Sequence, residues 1–254
     1  MQASDPIVVP GALSSTPVPG PSTRRRLIAV AEVFLCSSIP TQLAIGTALR
    51  ALGWSPLDPA GGLSLNFVVG LSLADAALLM ILMAWLLREQ GESPRALWFG
   101  TRSWLREAGF GLLIVPALVF GVGITLNTLR LFAPFLRNVP TNPLEQLATN
   151  PGDAIILVFV VIVAGGIREE LQRAFLIRRF EQYLGGTGVG IFVLSVGFGL
   201  GHFVQGWDAV ITTGLLGAIW AWIYVRRRSS VAPMVSHAAF NALEIFRVAL
   251  VGLQ

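Results

Sequence analysis

The sequence predicts an all-α fold, a polytopic integral membrane helical bundle of about seven transmembrane helices, and three observations carry that expectation. Hydrophobic residues make up 54% of the 254-residue chain and charged residues only 13%, about half the roughly 25% charged share of soluble globular proteins. Mean hydropathy is +0.70. The apolar residues also gather into stretches long enough to cross a hydrocarbon core of about 30 Å, and 27 glycines suit helices that pack closely in lipid. Such a composition excludes an ordinary soluble enzyme. The net charge of +4 does not argue for nucleic acid, because the arginines sit at the ends of apolar stretches, where they report topology. A single cysteine excludes an intramolecular disulfide and a Cys-based zinc cluster.

In chain order, residues 1–23 contain Pro6, Pro10, Pro17, Pro19 and Pro21 among small polar residues and read as a disordered cytoplasmic tail. Residues 24–254 form the integral membrane domain. Arg24, Arg25 and Arg26 open a first apolar stretch that is too long for a signal peptide, and Phe34 and Leu35 stand where a lipoprotein site before Cys36 needs a small residue. Apolar stretches fall near 27–49, 64–87, 108–133, 153–180, 188–206, 209–225 and 231–251. Arginines 24–26, 88, 95, 102, 106, 178, 179 and 226–228 share one side if the N-terminus is cytoplasmic. Trp54 and Trp207 then lie at the outer interface and Trp85, Trp98 and Trp104 at the inner one. The charged segment 93–107 reads as a surface-lying amphipathic element.

Glu32, Asp75, Asn127 and the pair Glu244 and Arg247 interrupt the spans and read as structural. Glu244 and Arg247, one turn apart, can neutralise each other, and Glu32 lies close enough to the inner face to reach headgroups. The fourth span differs. From Ala154 to Ile167 a helix covers only about 21 Å, so Arg168, Glu169, Glu170 and Arg173 fall within the hydrocarbon depth, with Arg178 and Arg179 as the next exit signal. Each such charge costs roughly 2.5–3.5 kcal/mol unless it faces a partner or a cavity. The only two histidines also lie in apolar stretches, His202 in the fifth and His237 in the seventh, with Asn241 one turn beyond His237. Two carboxylates, two histidines and an amide on three spans supply a proton acceptor for water and neutral donors for an oxyanion.

These segments resemble the CPBP family (CAAX protease and bacteriocin-processing intramembrane endopeptidases, also called Abi) over about residues 153–251. The family motifs are Glu-Glu-x-x-x-Arg, Phe-x-x-x-His and His-x-x-x-Asn or Asp on successive spans. Phe198 to His202 fits the second motif and His237 to Asn241 the third. The resemblance implies peptide-bond hydrolysis in the membrane, in the inner membrane of a bacterium, on a peptide or protein substrate with or without a lipid. A motif-one Glu and His202 would activate water, His237 and Asn241 would stabilise the oxyanion, and Arg173 would orient or neutralise the acidic pair. The cavity would open toward the cytoplasm. No cofactor is required by the sequence, which lacks His-Glu-x-x-His. A divalent metal such as zinc stays open, because the family has been called metalloprotease.

The first motif departs from the pattern, since only Leu171 and Gln172 separate Glu170 from Arg173. Anchoring on Arg173 places Arg168 and Glu169 at the two Glu positions. Anchoring on the Glu pair shifts Arg173 by one residue, about 100° around a helix. Glu169, four residues before Arg173, has favourable ion-pair spacing and opens the acidic pair, so it is expected to be the base. The alternative to a peptidase is an inactive membrane scaffold or a proton-coupled transporter using the same buried groups as a relay.

Overall fold

The computed structural model describes residues 20–140, 142–148 and 150–252. The tail expected at 1–23 therefore lies outside the described residues up to position 19. Helix α1 (Thr23–Leu35) starts where the Ser22 side chain accepts from the Arg25 N–H, as an N-cap does. It ends five residues before Pro40, and α2 (Ile39–Ala51) resumes at an angle of 41°, with Ser38 between them in the left-handed region at φ 72°. Helices α3 (Leu65–Glu89), the short α4 (Pro94–Phe99) and α5 (Trp104–Phe132) follow. Asn150 caps α6 (Pro151–Val160) by accepting from the Asp153 N–H. A π-helical stretch, Val161–Arg168, leads into α7 (Glu169–Tyr183), then α8 (Thr187–Leu200), α9 (Trp207–Arg227) and α10 (Val231–Gly252).

Among the described residues, α3, α5 and α9 are long and apolar enough to cross a membrane, and the bent pair α1 and α2 makes a fourth if it is one span. The chain is an integral membrane protein. Three of the seven expected spans are not among them: α10, at the stretch expected over 231–251, is not one of these candidates, and two others take another form. The stretch 153–180 is divided into α6, the π stretch and α7, of whose charged side chains Arg168, Glu170, Arg173 and Arg179 are buried in protein. The stretch 188–206 yields the 14-residue α8, about 21 Å long, which stops at Leu200 before the turn that holds His202.

Helix α7 is the hub. Leu171, Ala174, Phe175 and Ile177 pack against Leu79, Met83 and Leu87 of α3 and Ala221 and Tyr224 of α9. Helices α8 and α9 form the most extensive helix pair, because Gly199 and Gly214 face each other and a Cβ on Gly199 would run into the Val210 carbonyl. Large apolar side chains such as Ile81, Leu113, Phe120 and Leu215 remain exposed on the outward faces, where lipid is the solvent.

Two expectations for polar and aromatic side chains change. Glu32 does not reach headgroups but is buried against Arg179, which is itself fully buried and therefore needs a carboxylate. Arg179 also reaches Glu92 at 2.5 Å, and Arg178 reaches the same carboxylate at 2.7 Å. Trp98 is not an interfacial anchor. It is buried, its Nε1–H donates to the Leu171 carbonyl at 3.1 Å, and the Ser230 N–H donates to its carbonyl at 2.7 Å. Helix α4 is thereby fastened across the end of α7. Trp54, Trp85, Trp104 and Trp207 remain exposed, and Glu244 pairs with Arg247 at 2.9 Å as their spacing predicts.

The fastening outside the spans depends on pH. Burial pushes Glu92 up, but hydrogen bonds and charge from Arg178 and Arg179 outweigh it and hold its carboxyl below the ordinary 4.5. The hydrogen bond from Arg228 does the same for Glu181. A carboxyl depressed in the folded state contributes stability above its unfolded pKa and loses it as pH falls through the folded one. The melting midpoint of the detergent-solubilised protein should therefore be insensitive to these groups above about pH 5.5 and fall below pH 4.5. Glu92→Gln and Glu181→Gln together should flatten that decline in a pH series of melting curves.

Candidate active site

Two glycines bring α10 to the start of α7. Gly165 and Gly166 belong to the π stretch, and a Cβ on Gly166 would stand 2.5 Å from the Ala238 Cβ. A Cβ on Gly165 would meet the Asn241 Nδ2 at 2.7 Å. The π turn widens the backbone, as such turns do at functional sites, and the missing side chains let α10 approach. His237 on α10 consequently faces both carboxylates at the first turn of α7.

Glu170 is fully committed on one oxygen. Its Oε1 accepts from Arg173 and lies 2.8 Å from His237 Nδ1, while Oε2 is buried without a hydrogen-bond partner. Glu169 is the accessible one, with 21% of its side chain exposed against 1% for Glu170. Its Oε2 stands 3.9 Å from His237 Nε2 and its Oε1 3.6 Å from Arg168 Nη2, both beyond hydrogen-bond length. The His237 ring stacks on Trp220 at 3.8 Å between centroids, and the Trp220 Nε1–H donates to Ser236 Oγ at 3.1 Å. The Arg173 guanidinium lies 4.8 Å from the Phe198 ring and 5.8 Å from Trp220.

Of the six residues expected at the site, Glu169, Glu170, Arg173 and His237 form one cluster. Arg173 pairs with Glu170 at i,i+3, not with Glu169 as the four-residue spacing suggested, because the Phe198 and Trp220 rings hold its guanidinium on the Glu170 side of α7. Asn241 lies one turn beyond His237, against Gly165. His202 stands in the turn after α8, with Nδ1 2.8 Å from the Phe198 carbonyl and its ring 4.8 Å from the Phe198 ring. Phe198 in turn packs 5.9 Å from His237, so the second histidine joins the cluster through a phenyl ring. Ala174 is buried, and Trp98 of α4 donates to the Leu171 carbonyl near the start of α7.

Among the described residues no group of three or more His, Cys, Asp or Glu side chains is arranged to hold a metal ion. His237 turns Nδ1 to Glu170 and Nε2 toward Glu169.

Residues 151–243 match the family model described as type II CAAX prenyl endopeptidase Rce1-like. This segment is Rce1-like. The family is one of endopeptidases, hydrolases of the peptide bond, and the match agrees with the resemblance carried by the three motifs. It supports neither the Abi label nor the metalloprotease label. The Rce1-like segment begins at α6 and ends on α10, so it contains the whole cluster and none of α1 to α5. No curated protein and no solved structure matches the chain.

Sequence reasoning did not find Trp220, which holds the His237 ring. A tryptophan in an apolar span carries no sign of its neighbour, since α9 and α10 meet only in the folded bundle. The glycine pair yields a prediction. Gly166→Ala drives a Cβ into Ala238 and should destabilise the solubilised protein by about 1–3 kcal/mol, read as a lowered melting midpoint. Gly165→Ala meets only the end of the Asn241 side chain and should melt near wild type. Equal losses from the two would show that α10 does not rest on Gly166.

Proposed function

We propose that the chain is an intramembrane endopeptidase, with Glu169 as general base and Glu170 as the group that holds His237. One observation carries the reading. Of two adjacent carboxylates at the same helix end, Glu170 is locked by Arg173 and His237, whereas neither oxygen of Glu169 has a hydrogen-bond-length partner among those charges and its side chain is partly open. A base needs access to water and an unspent lone pair. Neighbours on a helix diverge by about 100°, so the two carboxylates cannot share the task.

In this mechanism a water between Glu169 and His237 Nε2 attacks the scissile carbonyl carbon while Glu169 takes one of its protons. The carbonyl oxygen becomes an oxyanion, and the Asn241 amide and a protonated His237 donate to it. His202, with Nδ1 turned to the Phe198 carbonyl, backs the Phe198 ring that packs against His237. Collapse of the tetrahedral species breaks the C–N bond, and the proton on Glu169 passes to the leaving nitrogen. Glu170 accepts from Nδ1 and fixes which His237 nitrogen faces the reaction. The substrate is a membrane-associated peptide or protein. The family's description makes a prenylated CAAX tail the first to try. The same reading places the N-terminus on the cytoplasmic side of a bacterial inner membrane, because the arginine clusters then share the cytoplasmic face.

The test is cleavage of a quenched peptide library and of a prenylated CAAX peptide by the purified protein in detergent. Glu169→Gln should lower kcat at least about 100-fold, and Asn241→Ala about 100-fold as a lost oxyanion donor. Glu170→Gln should lower kcat less and lower the melting midpoint as well, since Arg173 and His237 both lean on it. Wild-type turnover by Glu169→Gln would remove Glu169 as base. A folded wild type inert on every peptide would replace the peptidase with the inactive scaffold or transporter.

A further inference from the structure

Arg168 stands where one alignment of the first motif calls for a glutamate, and its surroundings assign it other work. It is buried, and its Nη1 donates to Ser38 Oγ at 3.1 Å and to Gln172 Oε1 at 2.9 Å. Its Nη2 lies between two carboxylates, 3.8 Å from Asp75 and 3.6 Å from Glu169. Asp75, in the middle of α3, is fully buried and accepts from Thr41 Oγ1. Gln172 is held in turn, donating to the Cys36 carbonyl at 2.5 Å and to Ser38 Oγ at 3.2 Å. Ser38 occupies the left-handed region at φ 72°, a conformation that a non-glycine residue adopts at a cost and that clusters at functional sites.

We infer that Asp75 and the Ser38 break between α1 and α2 are positioning groups for the peptidase site, acting through Arg168 on the carboxylate of Glu169. This rests on the proposed role of Glu169 as base. An untethered guanidinium beside a carboxylate in low dielectric closes on it as a bidentate pair, which would cover both lone pairs the base needs. Here the pull of Asp75 on one side and the hydrogen bonds to Ser38 and Gln172 on the other hold the cation back. At 3.6 Å it orients Glu169 by charge and leaves the oxygens free for water. The charged groups facing Glu169 are then Arg168, Glu170 and His237, with Asp75 one step behind and Arg173 turned to Glu170. Ser38, Thr41 and Asp75 all lie outside the Rce1-like segment 151–243, so the N-terminal helices complete the site and do more than anchor it.

The experiment is a double-mutant cycle on the full chain, using the quenched peptide that wild type cleaves fastest, with melting curves as the check on folding. Asp75→Asn keeps the shape and releases Arg168 onto Glu169. It should lower kcat about 10- to 100-fold, as small misplacements of reacting groups do, with KM within about twofold. Ser38→Gly, which suits the positive φ and removes the hydroxyl together with its Cβ, should lower kcat in the same direction by a smaller factor, and it carries the test if Asp75→Asn does not fold. In an Arg168→Gln background, Asp75→Asn should cost no further kcat, because its effect passes through the missing cation. Multiplicative losses, a change in KM alone, or unchanged kinetics in both single variants would overturn the inference while leaving the peptidase standing. A wild type inert on every peptide would overturn the peptidase, and this inference with it.

Discussion

The constraint on which the structure depends is that one helix carries ions of both signs into a low-dielectric bundle. An isolated charge at membrane depth costs roughly 2.5–3.5 kcal/mol, and a buried ion whose partner is removed costs more than the pair was worth. Apart from Arg173, which pairs with Glu170 on α7 itself, the charges along α7 and the turn before it draw on several different neighbours. Glu32 on α1 and Glu92 after α3 meet Arg179 and Arg178, Asp75 on α3 meets Arg168, His237 on α10 meets Glu170, and Arg228 before α10 meets Glu181. The packing of the bundle around α7 is the set of positions in which all of these demands are met at once.

Neutralisation is nonetheless uneven, and the unevenness separates structure from chemistry. Glu170 is spent on Arg173 and His237, and the stacked Trp220 fixes the plane of the imidazole. Glu169, next in the chain, faces the same histidine at a longer distance and is partly open. A group held by short bonds supports its neighbours, while one that is near charges without being bonded to them can exchange a proton with a water. The π stretch and its two glycines make this arrangement reachable by drawing α10 in until His237 lies over the first turn of α7.

Helix α4 adds a second constraint at the arginine-rich end. Trp98, the Glu92 ion pairs and the Ser230 N–H fasten it over α7, from Leu171 near the start of that helix to Arg178 and Arg179 near its end.

Much of this was legible in residues alone. The all-helical membrane class followed from composition, and the Phe198 to His202 and His237 to Asn241 spacings pointed to the same family as the match over 151–243. The charges at 168–173 had to be buried because 14 apolar residues are too few to cross the core. The pairing at Glu244 and Arg247 was likewise local, one helical turn apart. What the sequence could not decide was which partner each buried charge takes. Arg173 had Glu169 and Glu170 both within reach along its own helix, and the choice was made by Phe198 and Trp220 on two other helices. Glu32 looked free for headgroups until Arg179, 147 residues away, was placed beside it. Spacing along a helix determines which side chains share a face, but the strength of a contact between helices depends on how closely their backbones approach. That approach, set here by Gly165, Gly166 and the π turn, exists only in the tertiary structure.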